Sequence, residues 1–209
     1  VQSRGQNRTR GIRPSGIVGG LLMIIPDEQL SAALDPVSTE WRSRSGLRDA
    51  AVLAPLFTRA GRDHLLYTKR RDDLPTHAGE VSFPGGARES GENALQCALR
   101  ECREEIGLDP ASVSVLGCLP QRVSIARYLV HFYVARVPTP QDLVIDRSEV
   151  EMLLEIPLEE LADASRWEMR VVEAPPFRRT LPFFVAAGHD LWGLTAILTI
   201  DLLKRLGLR

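Results

Sequence analysis

The chain has almost no lysine. Of its 26 basic residues only Lys69 and Lys204 are lysine, which leaves 24 arginines. It also lacks a charge surplus of either sign. Basic and acidic residues number 26 and 27, a formal net charge of −1, so the basic excess of a dedicated nucleic-acid binder is missing and nucleic acid is not an expected partner. No apolar run approaches the roughly 18 residues of a membrane span, and no membrane partner is expected. Three cysteines (Cys97, Cys102 and Cys118) make no disulfide framework and suit a reducing compartment, so the cytoplasm is the expected location. Repeats and low-complexity tracts are absent. What is present is sufficient apolar material: 44% hydrophobic residues over 209 positions exclude a wholly disordered chain and fit one domain, or one domain with a tail. Most of the arginines read as codon usage on a solvated surface, although a guanidinium grips phosphate with two parallel hydrogen bonds where lysine does not.

The chain divides near residue 47. Residues 1–46 read as an N-terminal extension whose first 15 or so positions form a flexible arm carrying Arg4, Arg8, Arg10 and Arg13 and no acid. The apolar stretch 16–25 loosely mimics a secretory signal, but its glycines dilute it, and a small element packed on the main domain is expected instead. A short helix is expected over 29–34. From 47 to 209 the strand candidates are 50–57, 64–69, 79–83, 112–119, 128–137, 152–156, 168–173 and 181–186, with a turn at 61–63. Helices are expected over 93–106 and 191–206. Strands outnumber helices and short turns often join them, which predicts an α/β fold with a mixed sheet and helices packed on it, not a regular βαβ array.

One segment carries the chemistry. From Gly86 to Leu108 the sequence begins a helix near Glu92, with Ser90 or Glu92 available to the free amides of its first turn. It ends at Gly107, where a left-handed cap is wanted, with Pro110 beyond. Leu95, Ala98, Leu99, Cys102 and Ile106 form the apolar face. Glu101, Glu104 and Glu105 share the adjoining face at i, i+3, i+4 spacing. Like charges so placed repel by a few tenths of a kcal/mol per pair, and a purely structural helix gains nothing from it. A hard divalent cation reverses that balance because it takes oxygen ligands. Arg100 falls between Glu92 and Glu104 in angular position and can orient the cluster.

The spacing of Gly86, Glu92, Arg100, Glu101, Glu104, Glu105 and Gly107, with Cys102 and Leu108 at the two apolar positions, resembles the signature box of the Nudix hydrolases, Gly-x5-Glu-x7-Arg-Glu-U-x-Glu-Glu-x-Gly-U with U apolar. At residue frequencies of ~6% such a match arises by chance about once in 10⁸ start positions, which sets aside the reading of a merely charged, solvated helix face. The resemblance implies an α/β/α sandwich with a loop–helix–loop catalytic box. It implies Mg²⁺ or Mn²⁺ held by Glu101, Glu104 and Glu105 with the Gly86 carbonyl, and hydrolysis of a nucleoside diphosphate linked to another group. Glu149 and Glu151 are the candidates for a general base outside the box, Glu149 the first choice. Members of the family are often dimers, which makes a second copy of the chain a candidate partner.

Upstream, residues 65–86 resemble the additional motif of the coenzyme A pyrophosphatase subfamily. Leu65, Leu66, Thr68, Arg70, Leu74, His77, Gly79, Glu80, Phe83, Pro84, Gly85 and Gly86 agree with it, while the stretch Arg71–Asp73 lacks the usual serine. Residues 190–195 resemble that subfamily's segment before its last helix. The implied substrate is coenzyme A or an acyl-CoA, with Arg70 and Arg71 as phosphate contacts. His77 is a further contact, and Glu80 an added carboxylate for substrate, metal or water. Arg71 is equally readable as a surface pair with Asp72 or Asp73. Trp192 reads as core, and Cys97 and Cys102 are assigned no chemistry. The competing expectations are a Nudix diphosphatase for ADP-ribose, a dinucleotide or a damaged nucleoside triphosphate, and a non-catalytic nucleotide-binding regulator.

Overall fold

The structure, a computed structural model, describes residues 23–140, 143–174 and 177–209. The Arg-rich arm and most of the 16–25 stretch lie outside the described residues. The elements run α1 (Asp27–Ala33), β1 (Arg48–Arg59), β2 (Arg62–Arg70), β3 (Val81–Ser82), β4 (Gly85–Ala87), α2 (Ala94–Ile106), β5 (Ser114–Val123), β6 (Tyr128–Arg136), β7 (Val150–Pro157), α3 (Leu158–Ala162), β8 (Trp167–Ala174), β9 (Phe177–Ala186), β10 (His189–Leu191) and α4 (Gly193–Arg205). Among the described residues no helix is long and apolar enough to cross a membrane.

Seven strands form one mixed sheet and β8, β9 and β10 form a second, antiparallel one. β1 and β2 make a hairpin through Ala60 and Gly61, both at positive φ, the backbone that a two-residue hairpin turn requires. The turn therefore falls one residue before the expected 61–63. β1 runs parallel to β6 along its length, and β5 flanks β6 antiparallel. The hairpin then splays. β1 pairs with β2 only from Leu56 to Arg59, whereas its earlier residues Ala50, Ala51 and Val52 pair with β4. β2 in turn takes β3 at Thr68 and Lys69 and β7 along its other edge. The opening between the two strands is thus filled by the segment that leads into α2.

Alternation along β1 separates two cores. Ala51, Leu53 and Phe57 face α2 through Ala94, Cys97, Ala98, Cys102 and Ile106, while Ala54 and Leu56 face α4 through Leu198, Leu202 and Leu203. This is the layered α/β arrangement expected. Residues 23–41, part of the expected N-terminal extension, pack into the same cores. Leu30 is fully buried, a burial that contributes roughly 1.5–3 kcal/mol. The Ile25 amide donates to Asp63 at 2.8 Å, and Asp35 bridges to Cys118. The short helix begins at Asp27 and not at residue 29, and α3, β4 and β10 are additions to the expected list.

Candidate active site

The helix α2 begins one residue later than expected and with a different cap. Asn93 accepts from the Gln96 amide and its own amide donates to Gln96 Oε1, both at 2.9 Å, a reciprocal capping box. Ser90 and Glu92 are not the cap. At the other end Gly107 adopts φ 69° and closes the helix in the left-handed conformation that β-carbon sterics deny most residues.

Relieved of capping, Glu92 binds Arg100. Its two oxygens take Nε and Nη2 of the guanidinium at 3.0 Å each, and it also accepts from the Glu89 amide at 2.7 Å. The arginine holds the Glu92 carboxyl below the usual range. Only Nη1 of Arg100 remains for the glutamates, and it reaches Glu101 at 2.9 Å and Glu104 at 2.8 Å. Nη2 also donates to the Ala87 carbonyl at 3.1 Å. One cation therefore ties the loop to three box carboxylates.

Glu105 lies deeper. Its side chain is 6% exposed, and burial together with the charge of Glu101 pushes its carboxyl up to about 8, against the opposing pull of Arg70 and the Gly85 amide. Burial also raises the Glu101 carboxyl, while Arg100 opposes the rise. Gly86 sits hard against Glu101: a β-carbon there would meet Glu101 Oε1 at 2.4 Å. All the donors are oxygen and the charge is under-compensated, which fits a hard divalent cation. Glu104, at 58% exposure, stands at the rim on Arg100. Among the described residues no three acidic, histidine or cysteine side chains already converge as a closed ligand set, since Arg100 draws Glu101 and Glu104 to itself. A cavity of about 530 Å³ beside α2 is lined by Arg100, Glu104, Gln96, Leu99, Arg103 and Pro110.

The flanking candidates separate cleanly. Arg70, at the end of β2, reaches Glu105 at 3.5 Å and Glu149 at 3.3 Å and so joins the later segment to the box. Its Nε is buried with no acceptor among the described residues. Glu151 is instead paired with Lys69, a nearly buried lysine that also binds Asp72 at 2.9 Å. Arg71 is held by Asp73 through two contacts of 2.7 and 2.5 Å and donates to the Arg147 carbonyl, the surface pair anticipated as its alternative. His77 and Glu80 bind each other at 2.8 Å and are both substantially exposed. None of these three is brought into contact with the box glutamates. A cavity of about 360 Å³ lies between this loop and the 147–151 segment, lined by Arg71, Asp72, Asp73, Arg147, Val150 and Glu151. Trp192 stacks on Phe183 at 5.5 Å but is only half-buried and outside both apolar cores, so the expectation of a core position is not met. The Cys97 thiol, pushed up to about 12 by burial, stays neutral beneath the box loop and donates to the Gly86 and Ala87 carbonyls. Sequence reasoning passed over Lys69, although it is one of two lysines and ends a buried strand, and Trp41, for which no sequence signal exists.

The NUDIX domain profile matches residues 47–179, and the chain belongs to the Nudix hydrolase family. It is 34% identical over 169 residues to an uncharacterized Nudix hydrolase NudL of Pectobacterium atrosepticum, covering 80% of this chain and 84% of that one. It is 36% identical over 166 residues to the mitochondrial coenzyme A diphosphatase NUDT8 of Homo sapiens, covering 76% and 69%. The crystal structure of a MutT/nudix family protein from Enterococcus faecalis shares the fold, with TM-score 0.52 and 16% identity over 80% of this chain and 65% of that one. The protein is an enzyme of this class, a pyrophosphohydrolase.

Proposed function

We propose that the protein hydrolyses the pyrophosphate bond of coenzyme A or an acyl-CoA, giving 3′,5′-ADP and 4′-phosphopantetheine or its acyl form. The observation that carries this is Arg70. It belongs to the 65–86 motif that resembles the coenzyme A pyrophosphatases. It stands beside Glu105, and it keeps a buried Nε donor with no protein acceptor among the described residues. An anionic phosphate oxygen satisfies such a donor. The similarity to a relative named as a coenzyme A diphosphatase over three quarters of the chain supports the same substrate class.

Glu101, Glu105 and Glu104, with the Gly86 carbonyl, would hold Mg²⁺ or Mn²⁺. The bound cation supplies neutralisation of the pyrophosphate and a lowered pKa for the attacking water. Arg100 keeps the glutamates aimed, and Arg70 adds countercharge to the phosphates. Glu149, held next to the box by Arg70, takes the proton of the water as its oxygen attacks phosphorus and the anhydride bond breaks. Glu151 is not available for this, being held by Lys69. Arg71, His77 and Glu80 would have to exchange Asp73 and each other for substrate, and their contribution is assigned to the shape of the loop that Arg70 begins.

A substrate panel tests the reading. Coenzyme A, an acyl-CoA, ADP-ribose and a dinucleoside polyphosphate are each incubated with Mg²⁺ or Mn²⁺ and the products identified by mass spectrometry. Coenzyme A should yield 3′,5′-ADP. Efficient cleavage of ADP-ribose with no 3′,5′-ADP from coenzyme A overturns it.

A further inference from the structure

We infer that Trp41, which lies upstream of the family-matched segment 47–179, is a positioning residue for the box glutamates, acting through Glu92 and Arg100. Its indole Nε1–H donates to the Glu92 carbonyl at 2.8 Å. Two residues earlier, the Thr39 carbonyl accepts from the Ala94 amide at 2.9 Å, one of the free amides at the start of α2. Residues 39–41 thus strap the beginning of the box helix. The strap is itself fixed: the Trp41 ring lies under the Arg88 guanidinium at 5.1 Å and edge-on to His131 at 5.0 Å, and Arg88 is paired with Asp49.

The consequence follows from how Arg100 is shared. With Glu92 held at its carbonyl by Trp41, its carboxylate occupies Nε and Nη2 of Arg100, leaving a single nitrogen to divide between Glu101 and Glu104. When Glu92 drifts, Nε loses its acceptor and Nη2 keeps only the Ala87 carbonyl, so more of the guanidinium is free to neutralise Glu101 and Glu104. Those carboxylates then compete less well for a cation. The inference rests on the reading of the box as a divalent-metal site.

Two substitutions split the side chain. Trp41→Phe keeps the ring but removes the N–H; Trp41→His places an N–H the same number of bonds from the backbone but removes the outer ring. Mn²⁺ binding is measured by electron paramagnetic resonance at pH 8, beside kcat, KM for coenzyme A and the melting temperature. Trp41→Phe should weaken Mn²⁺ binding about fivefold, the factor that one hydrogen bond of ordinary strength is worth, with KM changed by less than about twofold. Trp41→His should restore the affinity even where it melts lower. In a Glu92→Gln background Trp41→Phe should add nothing, because both changes break one chain of contacts. Unchanged Mn²⁺ affinity in Trp41→Phe, or additive effects with Glu92→Gln, overturns the inference and leaves the metal reading standing. A parent protein that binds no Mn²⁺ overturns both.

Discussion

Glu105→Gln should make the metal-free protein more stable and the enzyme inactive. Glu105 is 6% exposed and its carboxyl is raised from the ordinary 4.5 to about 8 by burial and by Glu101. A folded-state pKa above the unfolded value means that the folded chain holds the proton more tightly. Stability from this group is therefore complete below pH ~4.5 and is lost as pH rises through ~8. Relative to a residue that is always neutral, the carboxylate costs under ~1 kcal/mol at pH 5 and roughly 4 kcal/mol at pH 8. Gly85 and Arg70 approach different oxygens of Glu105, so the glutamine oxygen accepts from only one of them and its amide NH2 faces the other donor without a partner, which takes back about 1–3 kcal/mol. The net gain is roughly 1–3 kcal/mol at pH 8, or about 3–10 °C in melting temperature for a chain of this size. The assay is thermal unfolding in chelator at pH 8 and pH 5, repeated in saturating Mg²⁺. At pH 5 the gap should vanish or reverse, because the carboxylate then costs less than the unpaired amide. The gap should invert with Mg²⁺, because only the parent binds the ion and gains by mass action. A metal-free variant that melts no higher than the parent at pH 8 refutes the claim that this buried charge is under-compensated.

Glu104→Gln separates chemistry from folding, because the side chain is 58% exposed and its ion pair is with Arg100; stability should stay within about 0.5 kcal/mol. Steady-state turnover should fall at least ~10²-fold, and near-normal turnover would sink the metal assignment. Gly86→Ala drives a β-carbon to 2.4 Å from Glu101 Oε1, so Glu101 must move. We expect a stability cost of about 1–3 kcal/mol and a drop in kcat of at least ~10-fold, measured by unfolding and turnover; full activity would show that Glu101 has room the structure does not give it.

Local geometry made the box legible. Residues three and four apart on a helix share a face whatever the rest of the fold does, so Glu101, Glu104 and Glu105 and the place of Arg100 could be read directly. The same locality favoured the left-handed cap at Gly107. The Asn93 cap was equally local, since Asn-x-x-Gln is a capping-box pattern, and it was passed over for Ser90 and Glu92. Glu149 and Glu151 were not separable by spacing. Their fates are set by β7 pairing with β2, which puts Val150 opposite Arg70 and Met152 opposite Lys69 and hands each glutamate to a different cation. Arg71, two residues from Asp73, satisfied a carboxylate close by before any distant group could reach it.

The sequence alone determined the family, the oxygen-rich helix face and the alternation that builds a sheet between helices, because each is a short-range pattern imposed by backbone periodicity. Tertiary structure decided what surrounds that face. It brought Arg70 to Glu105 across the splayed hairpin, buried Glu105 until its charge became costly, and laid Trp41 against Glu92 from fifty-one residues away. Such contacts depend on which strands pair and in what register, and burial and charge compensation act only once those elements meet.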